Sequence, residues 1–66
     1  MKVLLRNPRR ELDLTGPMRV HALLARLDLQ RESHLVIRNG TLVPGDQLLD
    51  DADQVEVRPV ISGGHA

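Results

Sequence analysis

The sequence predicts a small α+β domain in which β-strands pack on one amphipathic helix. Residues 2–6 form a short apolar run and residues 11–14 alternate polar and apolar side chains, as the strands of a hairpin do. Residues 20–27 repeat apolar side chains with helical spacing. Residues 35–37 form a short apolar strand, and residues 54–60 alternate again. The predicted order is ββαββ, followed by a carboxyl-terminal tail.

Length and composition narrow the class of protein. The 66 residues are enough for one domain, at 1–60, and a flexible tail, at 61–66. The chain has no Trp, Tyr or Phe, so its core must be aliphatic, and it has no Cys, which excludes a disulfide and a thiol nucleophile. Nine basic and nine acidic residues balance, which argues against nucleic-acid binding. No apolar run is long enough for a membrane span or a signal peptide, so we expect a cytoplasmic protein.

The helix is predicted to begin soon after Thr15. The Thr15 hydroxyl can cap it, and Pro17 is tolerated in a first turn, where its missing N–H costs no hydrogen bond. The helical spacing places four apolar side chains on one face: Val20, Leu23, Leu24 and Leu27. The turn of the opening hairpin is predicted at Asn7-Pro8.

Two turn signals divide the second half of the chain. An Asn-Gly pair at 39–40 ends the strand at 35–37, and a Pro-Gly-Asp sequence at 44–46 ends a short strand at 41–43. These signals add a short strand to the predicted sheet.

The alternation also predicts which side chains are buried. The predicted core consists of Val3, Leu5, Leu12, Val20, Leu23, Leu24, Leu27, Leu35, Ile37, Val55 and Val57. The leucines at 48–49 are expected to cover it, and residues 50–53 to form a solvated loop that lacks the ligand spacing of a calcium site. Leu4 and Val36 would then face outward, as an aliphatic patch for a partner or as ordinary exposed residues.

A diglycine, Gly63-Gly64, lies near the carboxyl end, with His65-Ala66 beyond it. Glycines lack a Cβ, so such a tail is thin and an enzyme can approach its carbonyl from either side. The chain resembles the ubiquitin-like β-grasp sulfur carriers of the ThiS/MoaD group over essentially its whole length. The resemblance rests on element order, size and four segments: 20–24, 35–40, 55–57 and 61–64.

Two segments, 41–44 and 61–64, are most similar to the TtuB-like carriers of tRNA thiolation. The sequence departs from the family pattern in two places. Ala52 stands where many members have glycine, and His65-Ala66 extends past the diglycine.

The resemblance implies a mixed sheet of four to five strands on one helix, in a carrier that performs no catalysis and binds no cofactor. In the family, an E1-like adenylyltransferase uses ATP to adenylate the terminal glycine, and a sulfur donor displaces AMP to leave a thiocarboxylate. The reacting residue here would be Gly64. The residues that would enter the activating enzyme are Ile61, Ser62 and Gly63. A JAMM-type zinc metalloprotease trims similar extended carriers, which implies prior removal of His65-Ala66.

The resemblance also bears on two arginines. In a β-grasp sheet the first and last strands are parallel neighbours, so Arg6 and Arg58 would lie together at the end nearest the tail. They would contact an acidic groove of the activating enzyme, or simply be solvated. The other expected partner is a sulfur-acceptor enzyme, and the carrier is expected to be a monomer. His21, His34 and His65 share no metal-ligand spacing, so no metal site is predicted.

Several functions stay open at this point. The acceptor pathway could be thiazole formation, molybdopterin synthesis, tRNA thiolation or synthesis of a sulfur-containing amino acid or metabolite. A protein modifier conjugated through Gly64 is a second hypothesis, although Lys2, the only lysine, leaves almost no site for chains built on itself. The third is a noncovalent interaction domain with an inert tail.

Overall fold

The computed structural model describes residues 1–6 and 9–60, so the turn predicted at Asn7-Pro8 and the tail at 61–66 lie outside the described residues. Within them the elements follow in this order: β1 (Lys2–Leu5), β2 (Arg10–Asp13), β3 (Met18–Arg19), α1 (Val20–Arg26), a 3-10 turn (Arg31–Ser33), β4 (His34–Arg38), β5 (Thr41–Val43), β6 (Leu48–Leu49) and β7 (Gln54–Pro59).

The main sheet of the described residues has five strands in the order β2-β1-β7-β4-β5. Its central strand, β7, is parallel to β1 and antiparallel to β4, so the sheet is mixed. The short strands β3 and β6 pair separately. Together with α1, this arrangement confirms the predicted α+β fold of the ubiquitin-like β-grasp kind.

Most of the predicted core is confirmed. Six of its members are buried: Val3, Val20, Leu23, Leu24, Val55 and Val57. Leu5, Leu12 and Leu27 are half-buried and pack against that cluster. Of the two leucines expected to cover the core, Leu49 is fully buried, whereas Leu48 is exposed. Met1 is buried too, which the alternation did not predict.

The predicted orientation of β4 was wrong. Val36 is buried in the core, and its neighbour Leu35 is 43% exposed. Val36 lies between Val57 and Val43, which face the helix, so strand pairing directs it to the same side. Leu35 and Ile37, one position away on either side, therefore lie on the outer face of the sheet.

The predicted helix start was also wrong, although the predicted helix face was right. The helix begins at Val20, and Thr15 and Pro17 precede it without taking part. The Val20 and His21 N–H groups donate instead to the carbonyls of Gln47, at 3.0 Å, and Gly45, at 2.9 Å. These distant carbonyls satisfy donors that a side-chain cap would otherwise serve.

The loop at 50–53 is not uniformly solvated, which corrects a further prediction. Asp53 is buried and accepts hydrogen bonds from Arg38 Nε at 2.7 Å, Asn39 Nδ2 at 3.0 Å and the Asp50 N–H at 2.8 Å. The predicted Asn-Gly turn is present, with φ of 50° at Asn39 and 87° at Gly40. Both values suit the tight turn of a hairpin.

Candidate functional site at the end of the last strand

The carboxyl end of β7 delivers the chain to the predicted reactive tail. Pro59 lies opposite His34, and the Val60 N–H donates to the Ser33 carbonyl at 2.7 Å. The pairing of β7 with β1 ends at Val57, so among the described residues β4 and the Ser33 carbonyl alone tie the last residues of the strand to the sheet. The predicted site residues Ile61, Ser62, Gly63 and Gly64, and the extension His65-Ala66, lie outside the described residues, so their roles stay predictions.

The structure brings Arg6 and Arg58 together through a carboxylate between them. Glu56 Oε2 accepts from Arg6 Nε at 2.8 Å and from Arg58 Nε at 2.7 Å. The parallel pairing of β1 and β7 explains the contact, since it places the ends of both strands on one side of the molecule. The bond from Arg58, reinforced by the bond from Arg6, holds the pKa of the Glu56 carboxyl below its usual range.

Both arginine side chains remain about half exposed, at 47% for Arg6 and 51% for Arg58. One carboxylate between two cations leaves a net positive charge at the surface. An acidic partner could reach that charge without breaking the fold.

The outer face of the sheet presents an aliphatic surface beside these charges. Register places Glu56 between Leu4 on β1 and Ile37 on β4. The two aliphatic residues line a shallow depression of about 440 Å³, whose polar rim includes Lys2 and Glu11. Leu4 therefore lies where the sequence predicted a partner surface, and Ile37 takes the place predicted for Val36.

The two histidines within the described residues, His21 and His34, do not form a metal site. His21 is exposed on α1, and His34 Nδ1 lies 2.9 Å from the Gln30 carbonyl oxygen. Among residues 1–6 and 9–60, no group of three or more His, Asp or Glu side chains could hold a metal ion. No helix in those ranges has the length and apolar character needed to cross a membrane.

The family comparison agrees with this geometry. The model of the ThiS family matches residues 3–64, which is nearly the entire chain, and the match stops at the second glycine of the diglycine. Proteins of this family are small carriers that interact with E1-like activating enzymes and sulfur-acceptor enzymes. With its mixed sheet, helix and matched ending, the chain belongs to the ThiS family of ubiquitin-like sulfur carriers.

Proposed function

We propose that this protein carries sulfur as a thiocarboxylate on Gly64. The observation that supports it most directly is that the family match runs through the diglycine and ends at Gly64. The fold gives further support, because the central strand β7 leads the chain toward that residue, and the Val60 N–H at its end is bonded to the Ser33 carbonyl.

Activation of the terminal carboxylate is the chemical requirement of this role. A carboxylate is a poor electrophile until one oxygen becomes a good leaving group. In the proposed step, a Gly64 carboxylate oxygen bonds to the α-phosphorus of ATP and pyrophosphate leaves. The sulfur of a hydrosulfide ion then bonds to the carbonyl carbon, the bond to the AMP oxygen breaks and a proton is released. Gly64 suits this attack because it has no side chain to obstruct the carbonyl.

The extension beyond Gly64 must be removed first. While His65-Ala66 is attached, the Gly64 carbonyl belongs to a peptide bond and offers no carboxylate to adenylate. Hydrolysis of that bond, by a JAMM-type metalloprotease or another peptidase, would generate the reactive end.

The outer sheet face is the surface we assign to the activating enzyme. Leu4 and Ile37 offer aliphatic contact, and the Arg6–Glu56–Arg58 cluster offers positive charge beside the point where the tail leaves the sheet. A partner that held this face would receive the tail at its nearest edge. The same contact would explain why the two arginines are kept exposed.

Mass spectrometry of an activation reaction tests the carrier role. A chain truncated after Gly64, incubated with the E1-like enzyme, ATP and sulfide, should gain the mass difference of one oxygen-to-sulfur exchange. The matched control is a chain lacking Gly63 and Gly64, which should gain nothing while keeping its stability. Adducts on lysines of other proteins, without any thiocarboxylate, would favour the modifier. No ATP-dependent product would leave the inert interaction domain.

The pathway we propose is tRNA thiolation, with the sulfur passed to tRNA by a sulfur-acceptor enzyme, because residues 41–44 and 61–64 resemble the TtuB-like carriers. Cells that lack the gene should then lose a thiolated nucleoside from digested tRNA, and a chain ending at Gly64 should restore it. Loss of thiazole or molybdopterin synthesis with normal tRNA would assign the carrier to another pathway.

A further inference from the structure

A second surface lies on the opposite edge of the sheet from β2. A groove of about 510 Å³ separates the start of α1 from the β4–β5 hairpin. Val20 and Leu24 form its helix side, and Val36 and Val43 form its sheet side. It shares no lining residue with the depression beside Leu4, so the two surfaces can be occupied independently.

The groove follows a strand edge that is only partly covered. Within the described residues, β5 pairs with Val36, Ile37 and Arg38, so His34 and Leu35 continue β4 without a neighbour on that side. Pro44, which follows β5, has no N–H with which to extend the pairing. An uncovered edge of this kind accepts an extended segment from another chain.

Exposed aliphatic side chains mark the same edge. Leu35 is 43% exposed and Leu42 is 59% exposed, and both line the groove. Aliphatic residues that are exposed singly need no explanation, but here two of them border an apolar groove. The surface is therefore suited to an aliphatic side chain of a partner.

The charge at the rim of the groove indicates which charged group of the partner would lie beside its aliphatic side chain. Arg31 and His34 are the lining residues that can carry charge, and no Asp or Glu of the described part of the chain lines the groove. A Cβ added at Gly45 would lie 3.9 Å from a guanidinium nitrogen of Arg31, so this side chain extends toward the turn across the groove. Arg31 forms no ion pair within residues 1–6 and 9–60.

We propose that this groove binds an extended peptide segment of another protein in which an aliphatic side chain stands next to a carboxylate. The aliphatic side chain packs between Leu24 and Val43, and the carboxylate pairs with Arg31. The inference goes beyond the carrier role, because it requires neither the tail nor its activation. A failure of the activation reaction would not contradict peptide binding in the groove, and an absence of peptide binding would not contradict the carrier role.

An NMR titration of the full-length, isotopically labelled protein tests the proposal. The probes are the capped pentapeptide Ac-Glu-Val-Leu-Val-Asp-NH₂ and its basic counterpart Ac-Lys-Val-Leu-Val-Lys-NH₂. The acidic peptide should shift the amide signals of Arg31, His34, Leu35 and Val43 and leave that of Glu11 unchanged. The basic peptide should bind at least about tenfold more weakly, because like charges meet at the rim.

Matched substitutions separate the groove from the rest of the surface. Arg31→Glu should weaken binding of the acidic peptide by about tenfold. Arg26→Glu, at another exposed arginine away from the groove, should leave that binding unchanged. Leu42→Ser should weaken binding, and Leu48→Ser, at an exposed leucine elsewhere, should not. Circular dichroism would establish that each variant is folded.

Four outcomes would overturn the proposal. These are no binding of the acidic peptide at millimolar concentration, equal binding of both peptides, shifts confined to the depression beside Leu4 and Glu56, and equal effects of Arg31→Glu and Arg26→Glu.

Discussion

The Asp53 carboxylate accepts a hydrogen bond from the Arg38 guanidinium at 2.7 Å and so ties the turn before β7 to the end of β4. The same carboxylate accepts hydrogen bonds from the Asp50 N–H and from the side-chain amide of Asn39. Three donors from two segments therefore converge on one buried side chain. The contact fixes the start of the strand whose other end leads to Gly64, so we expect it to support the geometry of the site as well as stability.

The first prediction is that Asp53 makes stability depend on acid pH. The Asp50 N–H, followed by the Arg38 guanidinium, holds the pKa of the Asp53 carboxyl below its usual range. A carboxyl whose folded pKa lies below its unfolded value stabilises the fold fully above the unfolded pKa of about 4, and loses that contribution as the pH falls through the folded pKa. The free energy of unfolding, measured with urea, should therefore fall below a pH of about 4.

The variant Asp53→Asn should be less stable than the parent at neutral pH and should lose less stability in acid. The control is Asp46→Asn, because Asp46 is exposed and its carboxylate forms no hydrogen bond with the described residues. Two other carboxyls also have lowered pKa values: Asp51, through a hydrogen bond from the Gly16 N–H, and Glu56, through one from Arg58. If Asp53→Asn lost as much stability in acid as the parent does, the loss would have to come from these two groups.

The second prediction concerns the helix face. Leu24 is almost fully buried, so Leu24→Ala should lower the free energy of unfolding by about 2 to 5 kcal/mol through lost burial and the cavity left behind. Leu48→Ala, at an exposed leucine, should cost less than about 0.5 kcal/mol. Urea titration of both variants checks the difference, and similar losses would mean that the helix buries another face.

The third prediction concerns the face of β4. Val36→Ala removes two buried methyl groups and should cost about 1.5 to 3 kcal/mol. Leu35→Ala, one position away on the exposed face, should cost little although it removes more atoms. The opposite ranking in urea titrations would restore the orientation that the sequence suggested.

These results show which parts of the fold could be predicted from local sequence. The spacing of the helix residues identifies their common face without any knowledge of the sheet. In the run Leu35-Val36-Ile37 all three side chains are apolar, so the sequence allows either Val36 or its two neighbours to face the core. Only the pairing of Val36 with Val57 and Val43 decides between the two orientations. The helix start was predicted wrongly for a similar reason. The carbonyls that accept hydrogen bonds from its first N–H groups belong to a turn more than twenty residues later in the chain.

The candidate site was predictable to a different degree. The diglycine can be read directly from the sequence, and the parallel pairing of the first and last strands of the chain in related folds placed Arg6 near Arg58. The bridging role of Glu56 depends on its register with Leu4, which the sequence does not display. The groove beside Arg31 was missed because its walls come from three segments that only the fold brings together.

The fourth prediction concerns maturation of the chain. Intact mass spectrometry of the protein isolated from its own cells should show a species ending at Gly64, because a free Gly64 carboxylate is needed for adenylation. Detection of full-length chain alone, while the pathway is active, would contradict the proposed carrier form. A chain synthesised to end at Gly64 should then be active without processing.

The fifth prediction concerns the arginine cluster and the activating enzyme. The double substitution Arg6→Ala with Arg58→Ala removes the positive charge beside Glu56 and should raise the KM for the carrier by about tenfold, since surface charges mainly govern encounter and orientation. It should leave kcat and the urea midpoint nearly unchanged, because exposed ion pairs stabilise a fold weakly. The rate of thiocarboxylate formation, measured over a range of carrier concentrations, separates KM from kcat.

The control for this pair is a second double substitution, Arg26→Ala with Arg31→Ala, which removes the same net charge from positions outside the cluster. If long-range attraction by net charge were the cause, both double variants would raise KM equally. If local contact is the cause, only the Arg6 and Arg58 variant should raise KM. Added salt should then reduce the difference in KM between that variant and the parent, because it screens the exposed charges. A fall in kcat for the Arg6 and Arg58 variant would instead indicate that the cluster acts on the tail during the chemical step, which would require a different assignment of the outer sheet face.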